Sequence, residues 1–93
     1  MNFEWDDQKS DACFEQRGFD FVFVTTAFFD HRRVVVADER GSYGERRYKL
    51  FGVIQHRLFV VIYTLRKDAV RIISARKANH REVRFYENST RDN

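Results

Sequence analysis

The block from Tyr63 to Tyr86 carries arginines, one glutamate and two tyrosines, in an order that suits phosphodiester chemistry. Glu45-Arg46-Arg47 follows Gly44 at a strand start, and Arg66 closes an apolar strand that also holds Tyr63. Arg71 and Arg76 punctuate the next strand, and Arg81, Glu82 and Tyr86 belong to a short basic segment after it. Arginine presents a planar fork that grips phosphate bidentately, which lysine does not. Arginines, a carboxylate and a phenol can bind RNA phosphate and move protons without a metal. Glu45 suits a general base or a group that orients an arginine, and its bland alternative is an ordinary surface ion pair. With period two, Arg71 and Arg76 fall on opposite faces and cannot both point into one site unless the strand bulges or Arg76 lies at its frayed end. Arg76 is favoured as the functional one, because Ser74 and Ala75 leave room beside it.

Other chemistries fit poorly. His31, His56 and His80 share no metal-ligand spacing, and one cysteine excludes both a disulfide framework and a four-cysteine zinc site. No metal or cofactor is therefore expected. Cys13 sits between Asp11 and Glu15, a setting that disfavours a thiolate, and reads as buried filler. Trp5 and Tyr86 could stack on bases, although aromatics in a small domain are more often core.

Charge is divided unevenly. Residues 1–30 hold seven acids against Lys9 and Arg17, a net of −5, whereas residues 31–93 carry a net of +8. A basic half made mostly of arginine fits a nucleic-acid partner, or simply a solvated surface. No apolar run approaches the roughly 20 residues of a membrane span, and the N-terminus is acidic where a signal peptide needs positive charge. A cytoplasmic protein with no membrane partner is the expectation.

The elements that must position these groups fit one domain, residues 1–88, with 89–93 as a flexible tail. Phe3-Glu4-Trp5 is a short extended start suited to a sheet edge. Asp6 or Asp7 can cap a helix to about Arg17, and Gly18 can end it. Phe21 to Phe29 has strand propensity, but the capping Asp20 and the family pattern described below place a helix there. Val34-Val35-Val36 is a strand, followed by a polar loop, a strand over 46–53 and a strand over 58–65 that is apolar on both faces. Lys67-Asp68 turns the chain into a last strand over 70–76. Asn79 and Glu82 form a capping arrangement for a helix to about Glu87. The fold class is α+β: helices first, an antiparallel meander of four strands, then a closing helix.

In order along the chain, these landmarks resemble the BrnT family, ribonuclease toxins of bacterial toxin–antitoxin pairs. The resemblance rests on Phe3-Glu4-Trp5-Asp6 with Lys9, Gly18 with Phe21, Phe29-Asp30, Asp38, Tyr43-Gly44-Glu45 and Arg47. It continues through Gly52, Val60-Val61, Tyr63-Thr64, Arg66, Arg71 to Arg76, Glu82 and Tyr86. It implies a compact RelE-like fold and metal-independent cleavage of mRNA that inhibits translation. It also implies a ribbon-helix-helix antitoxin from the same operon, through which alone operator DNA would be bound. In such a toxin Glu45, Arg66, Arg76 and Tyr63 are the expected catalytic groups, and Arg46, Arg47, Arg71, Arg81 and Tyr86 the RNA contacts. Where the family commonly ends its first helix with Lys-His-Gly, this chain has Gln16-Arg17-Gly18, which removes a proton-transfer group. That departure favours the rival reading, a non-catalytic module that binds antitoxin or RNA without cutting.

Overall fold

The computed structural model describes residues 1–41 and 44–91. In chain order the elements are β1 (Asn2–Trp5), α1 (Asp7–Arg17), α2 (Phe21–Val24), a 3-10 segment (Thr25–Phe29), β2 (Val34–Asp38), β3 (Arg47–Ile54), β4 (Arg57–Arg66), β5 (Ala69–Lys77) and α3 (His80–Thr90). Among the described residues the sheet has five strands in the order β1-β5-β4-β3-β2. The four expected strands are antiparallel to one another, and β1 joins them as a fifth, parallel to β5. The sheet is therefore mixed rather than purely antiparallel. Parallel pairing needs a long crossover, so the partner of a four-residue strand is not readable from local pattern.

Capping sets the helices. The Asp6 side chain accepts from the Gln8 and Lys9 amides, and Gly18 ends α1 at φ 87°, a left-handed conformation suited to glycine. Asp20 accepts from the Phe23 amide, and the run that looked like a strand forms α2 and then the 3-10 segment. Tertiary packing overrides propensity here. Val24 and Ala27 are fully buried against the sheet, and the Ala27 carbonyl comes so close to Gly52 that a Cβ there would lie 2.4 Å from it. At α3, Asn79 accepts from the Glu82 amide while the Glu82 side chain accepts from the Asn79 amide, as anticipated. The helix runs on past Glu87 to Thr90, whose buried hydroxyl donates to the Tyr86 carbonyl at 3.1 Å.

The sheet's two faces carry different loads. One face holds the main core: Phe19, Phe21, Val24, Ala27 and Phe28 pack on Leu50, Phe59, Val61, Tyr63 and Ile72. The opposite face is covered by α3 over only one end, where Val83 and Tyr86 pack on Val34, Phe51, Leu58 and Val60. Among the described residues no helix covers the rest of that face, and it is where the arginines emerge.

Candidate functional site

A bulge decides which arginines share a face. Tyr63 pairs with Ile72 while its neighbour Ile62 pairs with Ser74, so Ile73 has no opposite number on β4. An extra residue in one strand resets its alternation. Arg71 opposes Thr64, and Arg76 opposes Val60. Thr64 and Val60 lie on the same face of β4, so Arg71 and Arg76 do too.

Cross-strand register then arranges the open face in rows. One row runs Asp38, Arg47, Thr64, Arg71, Glu4 across all five strands. The next runs Val36, Lys49, Ile62, Ser74, and a third, beneath α3, runs Val34, Phe51, Val60, Arg76. Four residues of β4 separate the Arg71 and Arg76 positions, about 13 Å at the usual rise per residue. The two arginines flank different parts of the face.

Glu45 organises the open end. Its carboxylate accepts from Arg47 Nε at 3.3 Å and from the Arg66 guanidinium at 3.4 Å, bridging β3 to the end of β4. Arg71 donates to Glu4 of β1 at 2.9 Å. Glu45, Arg47, Arg66 and Arg71 line one cleft of about 170 Å³, together with Asp6 and Lys9 of the α1 start. Beside it, Asp38 is buried and gripped by the Arg40 fork at 2.8 and 3.1 Å. The hydrogen bonds from Arg40 hold its carboxyl below the ordinary range, and Lys49 adds to this.

The remaining expected residues divide. Arg76 lies at the α3 end of the face, both arms of its guanidinium donating to the Glu82 carboxylate at 2.8 Å. That contact raises the Arg76 pKa and pulls Glu82 down to about 2. Arg46 is exposed next to Glu45, and its carbonyl accepts from the Thr64 hydroxyl at 2.6 Å. Arg81 is exposed in the first turn of α3. Tyr86 is part-buried and donates its hydroxyl to Asp30, which also accepts from the Val53 and Arg32 amides. Burial first, and then Asp30, push the Tyr86 pKa up. Burial pushes Asp30 upward, but the hydrogen bonds from Tyr86, Arg32 and Val53 outweigh it and leave its pKa lowered.

Tyr63 does not join this group. It points to the opposite face, where it is 9% exposed and packs on Tyr48 and Phe28 with ring centroids 5.4 and 5.1 Å away. Its alternation with Arg66, three residues on, already puts the two on opposite faces. Two lysines outside the expected site residues belong to this surface: Lys9, a landmark of the resemblance, in the cleft, and Lys49 in the second row. Lys49 was legible as a strand residue sharing a face with Arg47. Lys9 was not, because only the fold brings α1 to that cleft. Tyr43, named in the central loop, lies outside the described residues.

Among the described residues no three His, Cys, Asp or Glu side chains gather as a metal site. Cys13 is buried, donates to the Ala75 carbonyl at 3.7 Å, and has its pKa raised chiefly by that burial. None of the helices described is long and apolar enough to cross a membrane.

The family model for the ribonuclease toxin BrnT of type II toxin–antitoxin systems matches residues 5–82. The chain belongs to the BrnT family. A comparison with curated individual proteins gives no match. Membership implies a toxin of a type II toxin–antitoxin system, with ribonuclease activity and a protein antitoxin as partner. In this BrnT chain the matched segment contains Glu45, Arg47, Arg66, Arg71 and Arg76, and stops before Tyr86. The departure from the family pattern at Gln16-Arg17 falls in a neighbouring groove shared with Ser74 and Ala75, rather than among the residues lining the Glu45 cleft.

Proposed function

We propose that the open face of the sheet is the surface on which this toxin cuts RNA, without a metal, and so inhibits translation. The observation that carries the reading is Glu45 bridging Arg47 and Arg66 beside Arg71 in one cleft. Phosphate entering the cleft competes for these arginines and releases Glu45 from them. The freed carboxylate then takes the proton from the ribose 2′-hydroxyl as its oxygen attacks phosphorus. Arg47, Arg66 and Arg71 neutralise the charge that grows on the phosphoryl oxygens, the term that commonly dominates such catalysis. The leaving 5′-oxygen takes a proton from water or from Lys9 in the cleft. Products end in a 2′,3′-cyclic phosphate and a free 5′-hydroxyl.

Within this reading Arg46 and Arg81 extend the binding surface. Arg76 serves first as the clamp on α3 and second as an RNA contact. Tyr63 acts by supporting the sheet from behind. A ribbon-helix-helix antitoxin covers the arginine face and carries any operator contact. The rival reading, binding without cutting, rests on Gln16-Arg17, which line an adjoining groove that shares Lys9 and Ile73 with the cleft.

The test is incubation of purified chain with a labelled mRNA in excess EDTA, with mapping of the product ends. Cleavage that persists and leaves cyclic or 3′-phosphate ends supports the proposal. Activity lost in chelator and restored by Mg²⁺ overturns the mechanism.

A further inference from the structure

Among the described residues the sheet ends at β2, an edge with no partner strand. β2 pairs with β3 in unbroken register, and no described strand lies beyond it. Val35 is 42% and Val36 36% exposed. Natural edges are usually protected by an inward charge, a proline or a bulge; β2 has an inward charge at its last position, Asp38, while Val34-Val35-Val36-Ala37 ahead of it carry none of these. Charge sits instead at its two ends, with opposite sign. His31, Arg32 and Arg33, all exposed, precede the strand, and exposed Glu39 follows it. Asp38 is turned inward onto Arg40 and takes no part.

We propose that β2 pairs antiparallel with β2 of a second copy of this chain. A strand that begins positive and ends negative complements itself only in the antiparallel sense, since parallel pairing would stack like charges. Residues directly opposite in an antiparallel pair point to the same face, so the two-fold axis must pass through a residue. With the axis on Val36, Val35 lies against Ala37 of the partner subunit, and Arg33 lies opposite Glu39 of the partner subunit. The apolar residues supply the attraction, and the end charges set direction and register. The axis stands perpendicular to the sheet, so both arginine faces look the same way across a ten-stranded sheet. A five-residue seam buries less than the roughly 1,200 Å² typical of stable complexes. The dimer is therefore weak, with a Kd on the order of 100 µM.

Sedimentation of the full chain across a concentration series around that value tests this. The expected result is a reversible monomer–dimer equilibrium that weakens in high salt. Val36→Lys, which places two like charges at the axis, should sediment as monomer throughout while keeping its circular dichroism spectrum. Arg33→Glu and Glu39→Arg should each weaken self-association about tenfold, and an equimolar mixture of the two should dimerise as well as the parent. A parent chain that stays monomeric overturns the proposal. So does a dimer unaffected by Val36→Lys, or a mixture that fails to recover. A monomer whose Val36→Lys variant loses antitoxin instead would give the edge to the antitoxin and likewise overturn it.

Discussion

Replacing Glu82 by Gln should loosen α3 by a calculable amount. Glu82 receives both arms of Arg76 at 2.8 Å and closes the capping box on the Asn79 amide at 3.0 Å. Its pKa falls from 4.5 to about 2. That fall corresponds to roughly 3.4 kcal/mol. The Arg76 side chain is 37% exposed and Glu82 16%, and solvent screening cuts that figure by about half, to about 1.5–2 kcal/mol. The sign follows from the direction of the shift. A lowered carboxylate contributes its full stability above pH 4.5 and loses it as pH falls toward 2. Urea unfolding of parent and Glu82→Gln should therefore differ by about 1.5–2 kcal/mol at pH 7 and converge near pH 2. Asp30 and Asp38 also have lowered pKa values, so the difference between the proteins, rather than either curve, isolates Glu82. A difference below about 0.5 kcal/mol at pH 7, the scale of ordinary surface changes, would refute the clamp.

Gly52→Ala should cost about 1–3 kcal/mol or abolish folding, because the added Cβ meets the Ala27 carbonyl at 2.4 Å; thermal melting checks it. Tyr86→Phe removes the hydroxyl from Asp30 and should lower stability by about 1–3 kcal/mol. The same variant should leave RNA cleavage within about twofold at a temperature where it stays folded, since it touches packing and not the cleft. Tyr63→Phe should likewise cut RNA at close to the parental rate, being on the buried face. A loss of about tenfold or more would place the phenol in the chemistry.

What could be read from the residues and what could not follow from the range of the forces involved. Local devices were legible. Asp6 and Gly18 bound α1, and Asn79 and Glu82 start α3. Long-range pairing was not: β1 finds β5 across most of the chain, and nothing within Asn2–Trp5 names its partner. The bulge at Ile73 is equally silent, yet it alone puts Arg71 and Arg76 on one face. Phe21 to Phe29 coils against its β-branched and aromatic composition because burial on Gly52 outweighs intrinsic preference. At the site, the strand-end position of Glu45 was visible, but its bridge to Arg66 required the β3–β4 register. That Tyr63 and Arg66 face opposite ways is readable from parity alone.

The most direct test of the arginine cleft is single-turnover RNA cleavage, in EDTA, by the parent, Glu45→Gln, Arg66→Ala and Arg66→Lys. Glu45→Gln keeps the shape of the bridge and loses the base, so cleavage should fall about 10²-fold while RNA affinity holds or rises. Arg66→Ala should weaken both cleavage and binding. Lysine at that position should restore more binding than cleavage, because it keeps the charge without the fork. If all three variants cut as the parent does, this cleft is not where the RNA is cut.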